Sequence, residues 1–160
     1  MALIWSATVH SPTIDESGHL PSGISHWHLG RFEGYAVNPP LVRMIAAAPV
    51  VLMNPQTDWT PFRRLDLKVS DRVEWELARR FIELNGARSL TMWTVARLTL
   101  IPILLMGAFA VWSLGKTHGQ PSAILALFLF CSSPDILGHG SLMTPDACAH
   151  HSSPLPYTLF

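Results

Sequence analysis

Charge and cysteine are scarce in this sequence. Only 14% of the 160 residues are charged, against 49% that are hydrophobic, a balance that is unusual for a soluble domain. The two cysteines form no CxxC pair, which excludes a zinc ribbon or a disulfide framework, and we interpret Cys131 and Cys148 as small apolar fillers. Eleven basic residues balance eleven acidic ones, so the charge gives no indication of nucleic acid as a partner.

Long uncharged runs predict where the chain meets lipid. Leu98 to Gly115 contains no charged residue, and as a helix it would cover about 27 Å, close to the thickness of a bilayer's hydrocarbon core. We predict membrane helices over residues 92–115 and 121–138, joined by a polar turn at 116–120 into a transmembrane hairpin. The alternative is a pair of core helices in a soluble protein, which the length of the run disfavours in a chain of this size.

The remaining segments complete a mainly α fold. Residues 1–9 are apolar but too short to cross a bilayer, so we interpret them as the end of a first membrane helix. Residues 10–91 are then a long external loop, and residues 147–160 form a polar, proline-broken tail that is atypical for a membrane protein. Both ends look cut, so the chain is expected to be an integral membrane helical fragment that forms a single region.

The external loop is predicted to carry an amphipathic helix over residues 71–85. Asp71 and Glu74 resemble a capping box, Leu77 and Phe81 lie on the predicted apolar face, and Asn85-Gly86 is a stop signal. This helix is expected to rest on the membrane surface or on the hairpin.

A second, shorter helix is predicted in the same loop. Pro40 is expected to start it, because proline is favourable in the first turn of a helix. Pro49 is expected to end it.

Acidic residues and histidines gather near the start of this loop. The Asp15 and Glu16 carboxylates are expected to lie at the membrane surface. There they can accept a proton, bind a divalent cation, form an ion pair with a basic group or remain solvated loop charges. His26-Trp27-His28 would place both imidazoles on one face of a strand, and His19 with Glu16 would complete a metal site. Ordinary surface histidines explain the same pattern, so a metal ligand set stays open.

The order of several short motifs resembles a known family. The motifs are Asp15-Glu16-x-x-His19, Asn38-Pro39-Pro40-Leu41, Arg97-Leu98 at the head of a helix, and Ser133-Pro134 followed by His139-Gly140-Ser141-Leu142 and Asp146. Over residues 5–147 this arrangement resembles the lipid-linked-sugar glycosyltransferases of the C-type membrane fold, which include the protein O-mannosyltransferases and the aminoarabinose transferases that modify lipid A. The resemblance covers the N-terminal part of a family that normally has many more membrane helices.

The resemblance implies a site and a substrate. A sugar on a polyprenyl phosphate would be the donor, with its lipid in the membrane and its phosphate at the external face. The implied catalytic residues are Asp15, Glu16 and Asp146, and the implied substrate-binding residues are His19, Asn38, Pro39, Pro40 and His139. Many members have histidine where this chain has Asn38. The implied location is the bacterial inner membrane or its equivalent, with the acidic loop outside.

Two hypotheses of different classes follow. In the first, the chain is a membrane glycosyltransferase or a truncated remnant of one, incomplete by itself, in which Asp15 takes the acceptor's proton. Arg97 would then stabilise the leaving phosphate or act as a structural anchor. In the second, the chain is a small non-catalytic membrane protein whose His- and acid-rich loop binds metal or a partner. The sugar, the acceptor and any dependence on a divalent metal are left open by both.

Overall fold

The computed structural model describes residues 1–32, 35–36, 38–63 and 72–144. This part of the chain is 77% helical and contains no strand, which confirms the mainly α fold class. Its helices are α1 (Ala2–Val9), α2 (Ile14–Leu29), α3 (Leu41–Leu52), α4 (Val73–Asn85), α5 (Arg88–Lys116), α6 (Gln120–Ser132) and α7 (Pro134–His139), with a 3-10 turn at Thr60–Arg63.

Helix α2 lies at the centre of a packed helical region. It packs against α3 and α4, while α3 packs against the first half of α5. The side chains they bury together form one apolar core: Leu20, Ile24, Ala46, Ala47, Val50, Phe81, Met92, Trp93, Ala96, Leu100 and Met143. Gly23 permits the close crossing of α2 and α3, because a Cβ atom there would collide with the carbonyl oxygen of Arg43. This region positions every candidate site residue on α2.

Helix α4 confirms the predicted amphipathic helix. Leu77 and Phe81 are both buried, and the Phe81 ring meets the Trp93 ring edge to face with centroids 5.6 Å apart. The helix ends at Asn85, and Gly86 has a positive φ of 51°, as the stop signal predicts. The capping box is not confirmed, because Asp71 lies outside the described residues and Arg72 occupies the N-cap position.

The predicted hairpin has one long helix and one short one. Among the described helices, α5 alone is long and apolar enough to cross a membrane by length and composition. Helix α6 has 13 residues, about 20 Å of rise against a hydrocarbon core of about 30 Å. The predicted membrane helix over 121–138 is divided into two helices, because Ser133 adopts an extended conformation before Pro134, where α7 begins. Its insertion in a membrane stays a prediction.

The segment predicted to be an external loop has more structure than its sequence pattern indicates. Residues 10–91 include α2, which was not predicted, besides α3 and α4. The expectation that Pro49 ends a helix is wrong, since α3 continues to Leu52. Val50 is fully buried, and we attribute the continuation to this packing, which offsets the backbone hydrogen bond that proline cannot donate. Cys131 is exposed on α6 and is therefore not a core filler.

Candidate functional site

The acidic pair lies in the first turn of α2. Thr13 is the N-cap: its hydroxyl accepts from the Glu16 backbone N–H, and the Glu16 carboxylate accepts from the Thr13 backbone N–H at 2.9 Å. This reciprocal capping box fixes the start of the helix. Asp15 is exposed at this point, whereas Glu16 is fully buried. The two carboxylates therefore face different surroundings.

The helical conformation of α2 corrects the prediction for His26-Trp27-His28. Residues two positions apart on a helix are separated by a rotation of about 200° around its axis. His26 and His28 therefore lie on opposite faces of α2, whereas in a strand they would share one face. His26 is buried and His28 is exposed. Within the described residues, no group of three or more His, Cys, Asp or Glu side chains is placed to hold a metal ion. The structure gives no support to the proposed metal site at His19 and Glu16.

Glu16 forms a buried, bidentate ion pair with Arg97. The Nε atom of Arg97 lies 2.9 Å from Glu16 Oε1, and its Nη2 atom lies 2.6 Å from Oε2. The Arg97 side chain is 1% exposed and the Glu16 side chain is 0% exposed. Parallel hydrogen bonds between a guanidinium and a carboxylate are among the strong interactions available to a protein, and this pair joins residues 81 positions apart in the chain.

Arg97 also binds the backbone where α1 ends. Its Nη1 atom donates to the carbonyl oxygens of Ala7 and His10, at 3.4 and 2.7 Å, and its Nη2 atom donates to that of Ser11 at 3.1 Å. Together with Glu16, these acceptors account for all five N–H groups of the guanidinium. Arg97 therefore has no N–H left for a leaving phosphate, which supports its interpretation as an anchor.

Glu16 also binds the segment that precedes Asp146. Its Oε1 atom accepts from the Met143 backbone N–H at 2.9 Å, and its own carbonyl oxygen accepts from Trp93 Nε1 at 3.2 Å. Nearby, the Ser141 hydroxyl bonds that of Ser6 at 3.1 Å. The end of α1, the start of α2, the first half of α5 and residues 141–143 thus meet at one ion pair.

The surroundings of Glu16 keep it ionised. Burial by itself raises the pKa of this carboxyl, but hydrogen bonds from Arg97 and from the backbone N–H groups of Thr13 and Met143 outweigh burial. The pKa of Glu16 consequently lies below its ordinary value of 4.5. A buried, charged and fully bonded carboxylate holds structure in place, and it is not exposed to meet a substrate.

A second polar cluster forms around Tyr35 and brings two predicted residues together. The Tyr35 hydroxyl lies 3.4 Å from His19 Nε2 and accepts a hydrogen bond from Asn38 Nδ2 at 3.2 Å. Burial raises the pKa of Tyr35, and the negative charge of Asp15 acts in the same direction, although the hydrogen bond from Asn38 opposes them. His19 lies one turn after Asp15, on the same side of α2. This cluster therefore adjoins the exposed carboxylate.

The other predicted site residues lie elsewhere or outside the described chain. Pro39 is exposed, and Pro40 is the N-cap of α3. His139 lies on α7, where its Nδ1 atom is 3.3 Å from the Asp135 carboxylate in a half-exposed pair. Asp146 and the tail at 147–160 lie outside the described residues, so their predicted roles stay predictions.

Sequence reasoning missed Tyr35 and Arg43, and it left the role of Arg97 undecided. A usable signal was present for the two arginines. Arg43 is the one charge in the apolar stretch LVRMIAAAPVVL, and Arg97 directly precedes the uncharged apolar run from Leu98 to Gly115. Charges set in apolar helices are costly unless the fold satisfies them, so both positions indicated buried partners. No comparable signal marks Tyr35.

Comparison with known proteins found no matching family model, no similar curated protein and no similar solved structure.

Proposed function

We propose that this chain forms the external site of a membrane glycosyltransferase, which takes a sugar from a polyprenyl phosphate and transfers it to an acceptor at the outer membrane face. The observation that carries this proposal is the meeting of separate motifs at the Glu16–Arg97 ion pair. Residues 15–16, Arg97 and residues 141–143 come from three motifs of the family resemblance, and hydrogen bonds join all three. A chance likeness of short motifs would not require them to be in contact.

The exposure of α5 supports insertion in a membrane. The core helix of a soluble protein is mostly buried, whereas only 11% of the most apolar part of α5 is buried within the chain. Large apolar side chains of the second half of α5 and of α6 are exposed: Leu105, Met106, Phe109, Leu114, Ile124, Leu125, Phe128 and Leu129. At the far end, Lys116 lies over the Trp112 ring, an aromatic and basic pair typical of a membrane boundary. Membrane lipid is the proposed surrounding of this hairpin.

We propose Asp15 as the base that takes the acceptor's proton. An acceptor oxygen attacks the anomeric carbon, the bond from that carbon to the phosphate oxygen breaks, and polyprenyl phosphate leaves with the bonding electrons. The acceptor's proton passes to the Asp15 carboxylate, which is exposed and is free of the Arg97 ion pair. Glu16 holds this turn of α2 in place without touching the substrate. The N–H groups of Arg97 are all occupied, so Arg97 does not stabilise the leaving phosphate.

Transfer of labelled sugar tests the proposal directly. Native membranes that contain the chain should move radiolabelled sugar from undecaprenyl phosphate into a water-soluble or protein fraction, and membranes from a deletion strain should not. The panel of donors should include hexose, pentose and amino-pentose sugars. The proposal fails if the chain is present and inserted in the membrane but no donor gives more sugar transfer than membranes of the deletion strain. A non-catalytic membrane protein is then the remaining hypothesis.

The orientation of the hairpin gives a separate prediction. With Cys131 and Cys148 replaced by serine, a cysteine at Thr117 should resist a membrane-impermeant maleimide in intact cells and react once the cells are opened. Thr117 follows the last residue of α5, on the side opposite the acidic turn. A cysteine at Arg79, whose side chain is 61% exposed on α4, is the matched position that should react from outside. Ready labelling of the cysteine at position 117 in intact cells would contradict the proposed topology.

A further inference from the structure

Among the described residues, no carboxylate is hydrogen-bonded to the buried Arg43 guanidinium, although the charge of Glu74 acts on it. The Arg43 side chain is 2% exposed. Its Nη1 atom has no hydrogen-bond partner. Burial lowers the pKa of Arg43 to about 10, which still leaves it charged at neutral pH. A well-packed apolar residue often stabilises a protein as much as a buried charge does. Stability alone therefore does not explain why an arginine occupies position 43.

Those contacts fix the chain segment that leads into α3. The Nη2 atom donates to the carbonyl oxygens of Tyr35 and Asn38, at 2.6 and 2.5 Å, and the guanidinium carbon lies 4.4 Å from the centre of the Tyr35 ring. The Nε atom donates to His26 Nε2 at 3.0 Å, and His26 Nδ1 faces the Arg31 carbonyl oxygen at 2.7 Å. A planar guanidinium gives these bonds fixed directions, which a lysine ammonium does not.

The fixed segment in turn places the Tyr35 hydroxyl. It lies between Asn38 Nδ2, at 3.2 Å, and His19 Nε2, at 3.4 Å. His19 is one turn of α2 from Asp15, and the Asp15 charge acts on Tyr35. A continuous set of contacts therefore runs from Arg43 through Tyr35 to the face of α2 that carries the exposed carboxylate.

We infer that Arg43 is a positioning residue of the transfer site, which acts through Tyr35 to fix His19 and the α2 face beside Asp15. The inference rests on the proposed function. Arg43 and Tyr35 are both buried, so neither meets the donor directly. Their loss is expected to slow the transfer step and leave the apparent KM for the polyprenyl-phosphate donor unchanged.

Arg43→Met, Arg43→Lys and Tyr35→Phe test the inference. Each should lower kcat by about tenfold or more, since small displacements of a catalytic group have effects of this size, with the donor KM within about twofold of the wild-type value. Lysine should not rescue, because it keeps the charge but loses the planar fork. Arg79→Met and Arg79→Lys are the matched controls and should be silent, since Arg79 is an exposed arginine in a surface pair.

A second readout separates this inference from the proposed function. In the full chain in nanodiscs without donor, the ¹⁵N resonances of the His19 ring should shift in Tyr35→Phe and in Arg43→Met, while the helical circular dichroism stays unchanged. If the His19 resonances shift in the variants but wild-type membranes transfer no sugar, the proposed function is wrong, and the positioning role of Arg43 in transfer is wrong as well. If wild-type membranes transfer sugar but Arg43→Met leaves both kcat and the His19 resonances unchanged, the positioning role is wrong and the proposed function stands.

Discussion

Replacing Arg97 with methionine is expected to lower the free energy of unfolding by about 3–5 kcal/mol, because removing one member of a buried ion pair leaves an uncompensated charge in the interior. Glu16 would keep its bonds from Thr13 and Met143 but lose both bonds from the guanidinium. Three carbonyl acceptors where α1 ends would also lose their donor. The variant should therefore loosen α1, α2 and residues 141–143 together.

Chemical unfolding in detergent micelles, followed by circular dichroism, measures this effect. Glu16→Gln should also destabilise the protein, and the double variant should cost clearly less than the two single costs added together, because the partners share one interaction. Arg79→Met and Glu83→Gln provide a matched exposed pair, for which changes of about 0.5 kcal/mol or less are expected. Additive costs at Glu16 and Arg97, or a stable Arg97→Met protein, would contradict the ion pair's central role.

The same variants should differ in their response to acid. The folded-state pKa of Glu16 lies below 4.5, the ordinary value expected in the unfolded chain. Its ionisation therefore contributes stability above pH 4.5, and this contribution is lost as the pH falls through the lower, folded-state pKa. Asp58 behaves similarly, since hydrogen bonds from Thr60 and Arg80 lower its pKa to about 2. Glu16→Gln should reduce the steepness of acid unfolding below pH 4.5, which acid titration followed by circular dichroism measures.

The elements that the sequence predicted well are those with a local signal. Helix α5 follows from its uncharged run, and α4 follows from the spacing of Leu77 and Phe81 and from the stop at Gly86. Helix α2 was missed because glycines, serines and Pro21 lower its intrinsic propensity. Its signals were the Thr13 to Glu16 capping box and Gly30, which ends it with a φ of 63°. Burial of residues 18–26 outweighs the weak propensity.

The site depends on contacts that no local pattern encodes. The spacing between Glu16 and Arg97 is 81 residues, and no helical or strand periodicity relates positions so far apart. The family resemblance implies a catalytic acidic pair at Asp15 and Glu16, but the two side chains diverge in the first turn of α2, where Asp15 is exposed and Glu16 is buried. In the same way, His19 and Asn38 were nominated separately, and only the fold reveals Tyr35 between them.

Asp15→Asn is expected to reduce sugar transfer by about 100-fold or more, while the stability of the protein changes little. Asparagine keeps the size of the side chain but removes the charge and the ability to accept the acceptor's proton, which is the contribution of a general base. Asp15 is exposed in the first turn of α2, beside a turn that the Glu16–Arg97 ion pair holds rigid. The variant therefore alters the reacting group without disturbing its support.

Steady-state transfer from a polyprenyl-phosphate sugar in native membranes gives the relevant ratio of kcat/KM. Glu83→Gln is the matched control, an equally conservative change at an exposed carboxylate on α4, and it should transfer at the wild-type rate. Glu16→Gln should lose activity only to the extent that it loses folded protein, so activity per folded molecule should exceed that of Asp15→Asn by roughly tenfold or more. Near-normal transfer by Asp15→Asn would remove this carboxylate from the mechanism and leave the acidic turn with a structural role alone.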